Sequence, residues 1–184
     1  MDNELAFRGS NRYPRSFGVV IRFALALGVT PVFIPVKEPW RNGIIEQFNN
    51  TYDKRFYRSV TFGDFEHLRR ASREFSDFHN ANHRYSSLNQ QTPDQMHHQL
   101  GPYRYYDHRI NLSEKIPLQE GSIYFVRFIR SDLKLYLPTE SFQVPENLKY
   151  SYVVAEISVE NQSLMIRQNN EVIQSFEYRM PVDW

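Results

Sequence analysis

No cysteine occurs in the chain. That excludes disulfides and thiolate metal centres, and it fits a reducing cytoplasmic setting. Long apolar runs are missing as well. The most apolar stretch, residues 18–35, is interrupted by Arg22, Gly28 and Pro31, so neither a membrane span nor a secretory leader is expected. Internal repeats and low-complexity tracts are lacking. Net charge is almost absent too, at +1, but it is unevenly spread. Residues 1–100 carry +3, from 13 Lys and Arg against 10 Asp and Glu, whereas residues 101–184 carry −2, from 9 against 11. Within the basic half, Lys54, Arg55, Arg58, Arg69, Arg70 and Arg73 enclose only Asp64 and Glu66. Such a cluster suits a phosphate-facing surface, and equally a surface kept soluble by arginine.

What is present is globular: 184 residues, 41% apolar and 23% charged, enough for one or two domains. Aromatics are plentiful, with 14 Phe and 12 Tyr. They serve hydrophobic cores first and base stacking second.

The run from Pro35 to Asn50 organises the chain. It reads as the end of a buried strand, a Pro-bounded loop and an abrupt helix start. Asn42 is placed to cap that helix, and Gly43 leaves room for a ligand backbone near its N-terminus. From there Ile44, Ile45, Phe48, Tyr52 and Phe56 fall on one arc, as helical spacing requires. Glu46 lies opposite, beside Asn49, Asn50 and Asp53. A carboxylate one turn into a helix suits a hard cation near a phosphate. The same pattern also describes an ordinary solvated helix face.

Pro39, Asn42, Gly43 and Glu46 form P-x-x-N-G-x-x-E, which resembles the third-carboxylate motif of the DDE transposase and retroviral-integrase family. Upstream, D-N-x-x-x-F from Asp2 to Phe7 resembles the segment carrying that family's second catalytic Asp. Downstream, residues 79–93 are similar to the tail of its catalytic domain. There Asn80, Leu88, Thr92 and Pro93 fit, while His79, His83, Arg84 and Tyr85 depart from the pattern. Glu38 competes for the third-carboxylate position, since 35 residues separate it from Asp2, against 43 for Glu46. Glu38 precedes Pro39 and is held extended, so Glu46 is preferred.

The resemblance implies an α/β fold: the C-terminal portion of an RNase H-like catalytic core over 1–94, a linker over 95–118, and a small antiparallel β-barrel-like domain over 119–184. It implies DNA integration or transposition by cleavage and strand transfer, with two Mg²⁺ (or Mn²⁺) ions held by three carboxylates. Asp2 and Glu46 are the two carried over as catalytic and metal-binding. The first Asp has no counterpart, so a chain lacking the front of the core, inactive alone and weak in metal binding, is expected. The alternative is a non-catalytic DNA-binding or oligomerising fragment that joins a full-length transposase. Expected DNA contacts are Arg8, Arg12 and Arg15 in a mobile Gly/Ser/Pro loop, then Lys37, Arg41, Asn42, Asn49, Asn50 and Lys54. The expected partners are DNA and either further copies of this chain in a homo-oligomer or a full-length transposase subunit, with no membrane.

Periodicity supplies the remaining expectations. A helix is expected over 17–27, burying Val20, Phe23, Ala24 and Leu27 and stopped by Gly28, followed by a strand over 30–34. A second helix begins at Thr61, with Asp64 completing a weak capping box. It buries Phe65, Leu68, Ala71, Phe75 and Phe78. His79, His83, His97 and His98 lie in polar surroundings and read as loop histidines rather than a zinc site. Strands are expected over 123–129, 133–137, 152–159, 163–167 and 172–178, with turns at 160–162 and 169–170.

Overall fold

The computed structural model describes residues 1, 3–9, 11–101, 114 and 116–181, excepting the side chains of Pro39 and Ile44. Asp2 and most of the expected linker therefore lie outside the described residues. The chain divides into two compact units: Met1–Arg41 with Tyr106–Trp184, and Asn42–Tyr105.

The first unit is built on strands whose side chains alternate in burial. In β2 (Ser122–Phe128), Ile123, Phe125 and Arg127 point inward. It pairs antiparallel with β5 (Tyr152–Ser158), from Ser122 opposite Ser158 to Phe128 opposite Tyr152. Next to β5 lies β6 (Ser163–Gln168), and then β7 (Glu171–Glu177). The β6–β7 turn uses Asn169 and Asn170 at φ 50° and 68°, the two left-handed residues that a tight hairpin matching strand twist demands.

The opposite edge is filled by β1 (Val32–Phe33), which runs parallel to β2 with Val32 opposite Tyr124 and Phe33 opposite Phe125. The order is thus β1-β2-β5-β6-β7, a mixed open sheet. The expected barrel is not formed: among the described residues no pairing joins β7 to β1. The strand expected over 133–137 pairs elsewhere. As β3 (Lys134–Tyr136) it forms a separate two-stranded sheet with β4 (Ser141–Gln143). Strand β4 is too short to show a period of two in the sequence.

Helix α1 spans Leu5–Arg8 and α2 spans Val19–Ala26. The buried residues of α2 are Ile21 and Leu25, aligned with Phe17 just before it, and Arg22, which donates to the Phe17 and Ile116 carbonyls at 2.9 and 2.7 Å. The expected face, with Val20, Phe23, Ala24 and Leu27, is only half-buried. This helix is apolar nearly all round, so spacing cannot select a face, and contact with the core selects it. Gly28 does end the helix. At φ 67°, its N–H reaches Leu25 O at 2.8 Å and Val29 N–H reaches Ala24 O at 2.8 Å, closing a Schellman motif.

The loop after α1 is closed by the backbone. A Cβ on Gly9 would stand 2.5 Å from the Gly18 nitrogen, and Gly9 has φ 94°, so both residues must be glycine for the segments to touch.

The second unit is helical. Its first helix is α3 (Gly43–Tyr52), which widens into a π turn over Asp53–Tyr57; the 3₁₀ turn before it (Pro39–Asn42) belongs to the first unit up to Arg41. Helix α4 covers Phe65–Asn82. Its cap is Asp64 rather than Thr61: the Asp64 carboxylate accepts the His67 N–H at 2.7 Å, the stronger acceptor taking the role. The inward line is Leu68, Ser72, Phe75 and His79, whereas the expected Phe65 and Phe78 are 72% and 69% exposed.

Residues expected to begin the linker instead extend helix α5 (Pro93–Leu100). It opens with a full capping box between Thr92 and Gln95 and with Pro93 in its first turn. No described helix is long and apolar enough to cross a membrane.

Candidate functional site

Asn42 occupies the N-cap position of α3, as expected, but makes no side-chain cap hydrogen bond. Its φ of −91° and ψ of 9° continue the preceding 3₁₀ turn rather than the extended backbone a capping side chain needs. A Cβ on Gly43 would meet no described atom within 4 Å, so the helix start is open at that point.

Glu46 stands exposed in the first turn of α3, where the positive end of the helix favours a negative charge. It forms no ion pair with a described residue. Asn49, Asn50 and Lys54 are exposed further along the same segment. Asp53 is engaged: Arg58 Nε lies 2.7 Å from its Oδ2 across the π turn.

Of the expected apolar arc, Phe56 is buried, Phe48 and Tyr52 are half-buried, and Ile45 is 66% exposed. The Ile44 side chain lies outside the described residues. Tyr52 stacks edge-on to Phe75 at 5.5 Å and shares a 2.8 Å hydrogen bond with Ser72. Phe48 meets His79 at 5.0 Å. Aromatic contacts thus fix α3 against α4.

The competing carboxylate, Glu38, is fully occupied. Its Oε2 accepts from Arg41 Nε at 2.6 Å and its Oε1 from the Tyr152 hydroxyl at 2.8 Å. The Arg41 hydrogen bond holds the Glu38 carboxyl below its ordinary range. Arg41 also lies over the Tyr152 ring at 4.8 Å.

The expected DNA-facing arginines are likewise engaged. Arg8 donates to Asn3 O at 2.8 Å and to the Asn11 side chain. Arg12 sits over Tyr13 at 5.4 Å. Arg15 makes two 2.8 Å bonds to Glu140 and covers the Tyr178 ring at 4.6 Å. Lys37 is exposed, at φ 65°.

Arg127 was not anticipated. It is 5% exposed and donates to the carbonyls of Tyr136, Ile34 and Val126 and to Asn3 Oδ1 at 2.9, 3.2, 2.8 and 2.7 Å. No described carboxylate bonds to it. Burial, with the nearby Arg8 charge, pushes its pKa down to about 10. The signal was legible, because Arg127 falls in phase with inward Ile123 and Phe125 on a strand of period two.

His79 and His83 stack at 4.6 Å, and His79 Nε2 lies 2.9 Å from the Tyr85 hydroxyl. Among the described residues no three His, Asp or Glu side chains are grouped to hold an ion. Glu46 supplies one carboxylate, and Mg²⁺ held by so few protein oxygens completes its shell with substrate phosphates and water. Asp2, its expected companion, lies outside the described residues.

Residues 27–93 match the family model described as integrase core domain. No curated protein matches the chain. The matched stretch includes Pro39, Asn42, Gly43 and Glu46 and stops short of β2. Over residues 27–93 the chain therefore carries an integrase- or transposase-like catalytic-core segment.

Proposed function

We propose that this protein acts on DNA in integration or transposition, with Glu46 as an acidic residue of the strand-transfer site and Asp2 as its companion. The observation carrying this reading is the family match over 27–93, within which Glu46 stands exposed at the start of α3. Glu38, the other carboxylate in reach of the motif, is taken by Arg41 and Tyr152. In this reading Asp2 and Glu46 are two ligands of Mg²⁺ or Mn²⁺, with further oxygen ligands required. Asn49, Asn50 and Lys54 flank the site as DNA contacts.

The test incubates the full chain with DNA and Mg²⁺, scoring binding, cleavage and joining separately. Metal-dependent cleavage or joining that is lost in Glu46→Gln and in Asp2→Asn supports the assignment. Activity surviving Glu46→Gln shows that the site lies elsewhere. DNA binding with no cleavage, together with co-purification of a full-length transposase, favours a non-catalytic DNA-binding or oligomerising subunit. Failure to bind DNA at all removes the reading.

A further inference from the structure

A groove of about 400 Å³ opens on the first unit between the segment after β1 and the ends of β2, β3 and β5. Its rim carries aromatic surface left facing solvent: Trp40 is 66% exposed and Tyr136 52%. Phe128 and Tyr152 lie beside them in contact, ring centroids 4.9 Å apart. Two cations line the same groove, the buried Arg127 and the exposed Arg130.

Charge balance around the groove is positive. Glu38 is neutralised by Arg41. Asp132 accepts from the Tyr136 hydroxyl at 2.7 Å, which fixes that ring's edge and leaves one negative charge against the two positive charges of Arg127 and Arg130. Arg127 has only neutral acceptors among the described residues, and Arg130 forms no ion pair with any of them. Exposed flat rings beside uncompensated guanidinium groups match one ligand chemistry well: π-faces that stack, joined by phosphates. A duplex keeps its base faces stacked internally, so the complement is a strand with unpaired bases.

We propose that this groove binds single-stranded DNA, an unpaired base stacking on Trp40 and Tyr136 while Arg130 takes a phosphate. The proposal rests on the DNA reading above and adds to it the strand form and the place of contact. Arg127 supplies positive potential from below, as a buried charge held in position by carbonyls.

The experiment measures binding of the full chain to a labelled oligothymidine and to a duplex of equal length, by fluorescence anisotropy across a salt series. Trp40→Ala and Tyr136→Ala should each weaken single-strand binding about tenfold, leaving duplex binding within about twofold. Arg130→Ala should reduce the single-strand salt slope by about 0.7. Because Trp40 is exposed, its removal should not disturb the thermal melt.

A second readout does not depend on truncating the rim. In a Trp184→Phe background Trp40 is the remaining tryptophan, and base stacking should quench its emission at saturation. Unchanged emission, or variants that bind the oligonucleotide as tightly as the parent, overturns the groove while leaving DNA binding in place. A parent chain that binds only duplex has the same consequence. One that binds neither DNA removes both readings together.

Discussion

Phe33 stacks on Phe125, ring centroids 4.7 Å apart and planes 11° from parallel. Both rings are fully buried, and through them the short strand β1 is joined to a strand that follows it by some ninety residues (the Arg127–Ile34 bond beside it spans 93). This pairing ties the N-terminal segment into the same sheet as the C-terminal strands.

Phe33→Ala should therefore destabilise the first unit by about 3–5 kcal/mol, the usual cost of emptying a buried aromatic site. Val32→Ala, one residue away on the exposed face, should cost less than about 1 kcal/mol. Urea unfolding of both variants checks the contrast, and equal losses would contradict the stacking as the source.

Arg15 and Glu140 form a two-pronged ion pair, partly screened from water, beside the Tyr178 ring. The Glu140 hydrogen bond holds the Arg15 guanidinium above its ordinary pKa. A double-mutant cycle of Arg15→Ala and Glu140→Ala should give a coupling of about 1 kcal/mol. A coupling indistinguishable from zero would release Arg15 for the backbone contact its loop suggested.

His79 should titrate below its ordinary range. Burial lowers its pKa, and the His83 charge stacked on it acts in the same direction. A depressed folded pKa contributes stability above the unfolded value, about 6.5. That contribution is lost as pH falls through the folded value, because the unfolded chain takes up the proton first. Melting temperature should accordingly drop below about pH 6.5, and less steeply in His79→Gln. An imidazole titration by NMR with the His79 midpoint at or above the ordinary value would refute the assignment.

Glu46→Gln should leave stability within about 0.5 kcal/mol of the parent, since the side chain is exposed and away from every cap and core contact. Thermal melts test this directly. A large loss would mark Glu46 as structural and undercut its use as a functional carboxylate.

Local chemistry was readable in the residues themselves. The P-x-x-N-G-x-x-E spacing placed the start of α3 at Gly43 with Glu46 outward, Gly28 marked the end of α2, and the period of two located β2, β5, β6 and β7. These features depend on neighbours a few positions apart, which is the range over which backbone preference and side-chain spacing act. Which face of α2 turns inward, which residues of α4 meet α3, and the union of β1 with β2 were decided only by tertiary packing. An apolar helix has no preferred side until a core is offered, and a two-residue strand has no period to read. Arg127 shows both levels at once. Its place in the strand alternation was visible from the sequence, but only the converging carbonyls of Ile34, Val126 and Tyr136 explain how its charge can be buried.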